Sequence, residues 1–184
     1  MSQKVLYSRF FTPPKFLEMP SVCVEIVPAG LSFLLNKASD QGLLPETYGL
    51  VALPVGTISQ GEIIKKDLII KALIEIRKRT KVSFARFSLP EEKTYIFKTH
   101  LPNLTAQEIH DILDFKIDEN VPLTAKEAVY DYDIIPNSRQ SNGLDVVVSV
   151  APLKMVEELQ EIFKLAGLTP LFFSPESNNV SKSL

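Results

Sequence analysis

Apolar and polar residues alternate along some stretches of this chain, while in others the apolar residues return every three or four positions. Within Lys93–Leu101, Tyr95, Phe97 and Thr99 alternate with Ile96, Lys98 and His100, the period of a half-buried strand. Ser21–Val27 and Leu31–Asn36 are mostly apolar runs on either side of Gly30 and predict a hairpin, and Tyr48–Pro54 predicts a third strand. Asp67–Arg79 carries apolar residues at 69, 70, 73 and 76 opposite Lys71, Glu75 and Lys78, the pattern of an amphipathic helix, and Val82–Ser88 follows as a strand. Thr105-Ala-Gln-Glu108 has the form of a capping box. The helix it opens has an apolar face of Ile109, Ile112, Leu113 and either the stem of Lys116 or Ile117, and stops at Val121-Pro122. Val129–Ile135 and Leu144–Ala151 predict two further strands around the polar loop Asn137–Gly143. Leu153–Ala166 predicts a last helix with Val156, Leu159, Ile162, Phe163 and Ala166 inward. Gly167 is its stop, Pro170 follows, and Leu168–Phe173 is one more strand.

Strands that pair locally, interrupted by helices, predict a mixed α/β (α+β) protein built in layers. A length of 184 residues suits one domain or two small ones. Residues 1–20 form a leader with Pro13, Pro14 and Pro20 among Phe10, Phe11, Phe16, Leu17 and Met19. Two readings fit it: a tail whose aromatics pack on the body, or an arm that docks in a groove of its own or a neighbouring subunit.

A net charge of −2 gives no reason to expect nucleic acid, which would favour a basic face. The first residues lack the apolar core of a signal peptide, and no apolar run approaches the roughly 18 residues of a membrane span. With Cys23 as the single cysteine, a reducing, cytoplasmic location is expected, with membrane association only through a partner. Cys23 itself, between Val22 and Val24, reads as an inert core residue.

Chemistry is sparse. His100 and His110 have no Cys or His neighbours at metal-ligand spacing, and no phosphate-loop, nucleophile-elbow or zinc-protease pattern occurs. Seven glycines form no cluster able to cradle a phosphate. Asp111, Asp114 and Asp118 share one helix face, which reads either as a docking stripe for a basic partner or as a solvated surface.

The stretch FKIDENVPLTAKEAVYDYDI, beginning at Phe115, sets a Pro soon after a helix and an Asp-Tyr pair in the next strand. In this it resembles the type IV pilus assembly protein PilM, an actin-like family related to the division protein FtsA. SVCVEIVPAGLSFLLN resembles that family's opening hairpin, VALPVGTISQGEIIKKDLIIKALIEI its passage into the first helix, and VSFARFSLPEEKTYIFKTHLP the strands linking subdomains 1A and 1C. LDVVVSVAPLKMVEELQEIFKLAGLTPLFFSPES resembles its returning strand–helix–strand. The resemblance implies a partial actin-like, ribonuclease H-like 1A layer from residues 21–88 and 168–184. A strand–helix–strand–strand (SHS2) subdomain 1C is inserted at 89–167.

The resemblance also implies a function. In that family a groove between 1A and 1C receives a short cytoplasmic peptide of the membrane protein PilN. Here Glu119, Asn120, Val121 and Pro122 beside Tyr130 and Tyr132 are the expected groove, with Asn120 placed to bond a peptide backbone and the apolar residues to wall a pocket. Glu25 stands where relatives often carry the phosphate- and magnesium-contacting Asp, and Val27-Pro28 replaces small flexible residues at that turn, removing backbone approach and an N–H donor. The chain stops where such a protein would enter its second half, which carries the rest of the nucleotide site. The expectation is therefore a non-enzymatic scaffold of a pilus or related secretion platform, partnered by a PilN-type peptide and other platform proteins. No cofactor is expected in this chain, with ATP and magnesium conceivable only in a longer form. The alternatives are a truncated actin-like ATP-binding protein and an FtsA-like division protein.

Overall fold

The computed structural model describes residues 19–39, 42–102, 106–135 and 143–175. The leader before Met19, the cap at Thr105 and all of the Asn137–Gly143 loop but its last residue lie outside them.

The chain opens with β1 (Ser21–Val27), β2 (Gly30–Ser39) and β3 (Gly42–Ala52), a meander of three antiparallel strands. Gly30 makes the first turn at φ +149°, where a Cβ would stand 2.1 Å from the Val51 carbonyl oxygen, so only glycine fits. A small hairpin, β4 (Ile58–Ser59) and β5 (Glu62–Ile63), leads into α1 (Lys66–Thr80). This helix has Asp67 in its first turn and Arg77, Lys78 and Arg79 in its last, in the sense its dipole favours. Lys81 then takes a left-handed conformation and donates to the Arg77 carbonyl, ending it. β6 (Phe84–Leu89) returns parallel to β1.

The second unit comprises β7 (Tyr95–Leu101), α2 (Ala106–Asn120), β8 (Ala128–Ile134) and β9 (Leu144–Pro152). α3 (Leu153–Leu165) and β10 (Thr169–Pro175) bring the chain back, β10 lying parallel to β6. The large sheet therefore has the order β10-β6-β1-β2-β3 and the small one β7-β9-β8.

Each sheet has its own core. Val22 and Val24 of β1, Leu31, Phe33 and Leu35 of β2, and Ala85, Phe87 and Leu89 of β6 face Ile69, Leu73 and Ile76 of α1 and Leu159, Ile162 and Phe163 of α3. The second core packs Ile109, Leu113 and Ile117 of α2 on Leu101, Val146, Val148 and Val150. This corrects one sequence expectation: α3 falls inside 89–167, yet its apolar face belongs to the first core, because Val156, Leu159, Ile162 and Phe163 turn toward β6 and α1. A second correction concerns Cys23, which is exposed rather than a core residue. Successive strand residues face opposite ways, and Val22 and Val24 hold the inward positions.

Candidate functional site

A cavity of about 340 Å³ opens between the two sheets, within the usual range of ligand sites. One wall is the small sheet, with Val129, Tyr130, Asp131 and Asp133 of β8 and Ser149 to Ala151 of β9. Val156 and Gln160 of α3 and residues 170–175 of β10 form the other. Phe87, Phe163 and Phe173 stand edge to face with ring centroids 5.4, 6.0 and 6.2 Å apart, which fixes β10 and α3 against β6. Among the described lining residues the only charges are the carboxylates of Asp131 and Asp133, and the rest is largely apolar, including Leu171, Phe172 and Pro175. Such a lining suits an extended apolar segment better than an anion.

The expected groove residues are not gathered in one place. Tyr130 lines the cavity, whereas Glu119, Asn120, Val121 and Pro122 close α2 and are not among its lining residues. Glu119 is ion-paired with Lys116 at 2.8 Å. The Asn120 amide donates to the Lys116 carbonyl at 2.8 Å, so its own helix end engages it. Val121 is buried in the second core and Pro122 is exposed.

Tyr130 and Tyr132 turn toward α2. The Tyr130 hydroxyl donates to Asp114 at 2.8 Å and lies 3.2 Å from His110 Nδ1, and the His110 ring also contacts Tyr132. Burial, then the bond to Asp114 and its charge, push the Tyr130 phenol up to about 12. The acidic stripe is likewise partly occupied: Asp114 serves Tyr130, and Asp118 accepts the Ala125 amide at 2.9 Å. That bond lies next to a pair that sequence inspection missed, in which the amide and the hydroxyl of Thr124 both donate to the Glu127 carboxylate. The spacing Thr-x-x-Glu at 124–127 was the available signal.

Glu25 lines a separate cavity of about 470 Å³ at the end of β1, together with Val27, Pro28 and Gly30. Its carboxylate accepts a long hydrogen bond from Ser32 at 3.4 Å. The charged residues lining this cavity among those described are Glu25, Glu91 and Glu92. Polyphosphate would meet three carboxylates there and no lysine or arginine. No set of three potential metal ligands occurs among the described residues.

Residues 24–183 match the family model described as type IV pilus assembly protein PilM. No curated protein matches the chain in sequence. Among solved structures, the PilM-PilN type IV pilus biogenesis complex superposes with a TM-score of 0.76 at 16% identity, over 86% of this chain and 48% of that one. The cytoplasmic domain of EpsL, an inner membrane component of the type II secretion system of Vibrio cholerae, superposes with a TM-score of 0.58 at 13% identity, over 84% and 56%. The chain thus spans about half the length of the structures it matches. These likenesses establish the actin-like fold. No helix among the described residues is long and apolar enough to cross a membrane.

Proposed function

The chain belongs to the type IV pilus assembly protein PilM family, and from that premise we propose that it is a non-enzymatic platform protein that holds an extended peptide of a PilN-type membrane partner between its two sheets. The observation that carries the reading is the cavity between the small sheet and β10, largely apolar apart from Asp131 and Asp133 and bordered by strand edges. An extended segment placed there gains main-chain hydrogen bonds from an edge and side-chain specificity from apolar pockets. The likeness to a PilM–PilN complex supports the same partner class. In this reading the protein works in the cytoplasm, reaches the membrane through that partner and joins other platform proteins there.

A nucleotide-binding role is the second reading, because Glu25 stands where the family resemblance puts the phosphate-contacting Asp. The carboxylates lining that cavity and the Val27-Pro28 turn weigh against it. Calorimetry separates the two. The N-terminal peptide of the PilN-type protein from the same genome is expected to bind with a dissociation constant on the order of micromolar, since a short flexible segment loses entropy on ordering. Mg-ATP is expected to show no binding tighter than about 10 µM. An inert peptide, or Mg-ATP bound in the low micromolar range, refutes this assignment.

A further inference from the structure

The register of the small sheet determines which backbone groups face the cavity. β8 and β9 are antiparallel, with Tyr130 opposite Val150, Tyr132 opposite Val148 and Ile134 opposite Val146. One residue beyond, the Ile135 amide donates to the Asp145 carbonyl at 2.9 Å. Hydrogen-bonded pairs recur every second residue in an antiparallel ladder, so Asp133, Asp131 and Val129 turn their amides and carbonyls toward β9. Tyr130, Tyr132 and Ile134 turn theirs away from it. β8 is an edge strand of its sheet, and its residues line the cavity opposite β10.

The facing edge of β10 is poorly suited to pairing. Pro170 and Pro175 lack an N–H, and an irregularity between Pro170 and Phe172 in the ladder with β6 breaks the regular alternation of the strand. Among the described residues no further strand pairs with the outer edge of β8, and that edge holds an occupied donor. The Tyr132 amide, which points outward, donates to the Asp131 carboxylate at 2.9 Å. A carboxylate closing an outward amide is a means of keeping an edge from pairing indiscriminately.

We infer that the bound peptide adds to β8 as a fourth strand of the small sheet, bonding the outward groups of Tyr130, Tyr132 and Ile134, and that Asp131 is the stopper it must displace from the Tyr132 amide. This rests on the peptide reading above and specifies its geometry. In such a strand, side chains alternate between the face of Val129, toward the first core, and the face of Tyr130 and Tyr132, toward His110. The occupant is therefore an extended segment with apolar residues at every second position and no proline at the positions whose amides meet β8.

Amide hydrogen exchange, with and without the N-terminal peptide of the PilN-type protein, tests the geometry. Exchange at Tyr130, Tyr132 and Ile134 is expected to slow at least tenfold in the complex, with Val129, Asp131 and Asp133, already bonded to β9, unchanged. Asp131→Ala, an exposed position whose change spares both cores, is expected to tighten peptide binding about two- to tenfold by freeing the Tyr132 amide. A peptide that binds without protecting the three alternate amides overturns strand addition and leaves the peptide reading standing. Unchanged or weaker binding by Asp131→Ala overturns the stopper. No binding at all overturns both the strand addition and the reading beneath it.

Discussion

Truncating Phe163 tests how the wall of the cavity is held. Its side chain is fully buried in α3 and meets Phe87 of β6 and Phe173 of β10 edge to face. A phenylalanine buries roughly 150–250 Å², and Phe163→Ala removes most of that side-chain area. At about 25 cal/mol per Å² the transfer term is about 3–4 kcal/mol. Loss of two edge-to-face pairs adds about 1–2 kcal/mol, and partial collapse of the cavity returns some of it. We expect about 4 kcal/mol of destabilisation, near the centre of the roughly 3–5 kcal/mol seen for such truncations. With a urea slope of about 2 kcal/mol/M, the midpoint falls by about 2 M at unchanged slope. Because total stability is about 5–15 kcal/mol, Phe163→Leu provides a gentler companion, expected to lose roughly 1–2 kcal/mol and to keep the fold. Peptide affinity of the Leu variant should fall as well, since Phe173 and its strand lose their fixed seat. A loss below about 1 kcal/mol for Phe163→Ala would show that the three rings are not the joint holding β10 to the sheet.

Gly30→Ala is expected to be severely destabilising, about 2 kcal/mol or more by urea denaturation, because φ +149° is closed to alanine and its Cβ would strike the Val51 carbonyl. Tyr130→Phe removes the bond to Asp114 and should lower stability by roughly 1 kcal/mol in the same assay. Since the Tyr130 phenol is raised to about 12, the folded state holds its proton longer than the unfolded chain. That contribution is complete below about pH 10 and is lost as pH rises toward 12, and the ultraviolet absorbance of the phenolate follows it. Glu127 behaves oppositely: the Thr124 hydroxyl and amide lower its pKa, so its stabilising effect is present above the ordinary carboxylate range and fades as pH falls through its lowered value. Glu127→Gln should flatten that acid limb in pH-dependent thermal melts.

Elements whose apolar residues follow a local period were legible in the chain. The alternation of Tyr95, Phe97 and Thr99 became β7, and the spacing of Ile69, Leu73 and Ile76 became α1. β3 was less legible. It begins at Gly42 rather than Tyr48: its first residues are exposed, with no buried alternation to mark a strand, and it carries Pro45 at an irregularity in an edge ladder. The site was the least legible part. Asn120 and Val121 looked available at a helix end, but helix-end hydrogen bonding engages one and core packing the other. The cavity depends on β8 meeting β10, strands separated by α3 and β9 in sequence, a juxtaposition set by tertiary packing with no local period. The stopper at Asp131 follows only from the register, which decides whether the Tyr132 amide turns inward or outward.

The central claim, an extended peptide between the two sheets, is tested most directly by amide chemical-shift mapping of the protein titrated with the N-terminal peptide of the PilN-type protein. The account predicts saturable shifts concentrated at residues 129–133 of β8 and 170–175 of β10, at micromolar peptide. Shifts confined to the Asp111, Asp114 and Asp118 face of α2, with β8 and β10 unmoved, would contradict it.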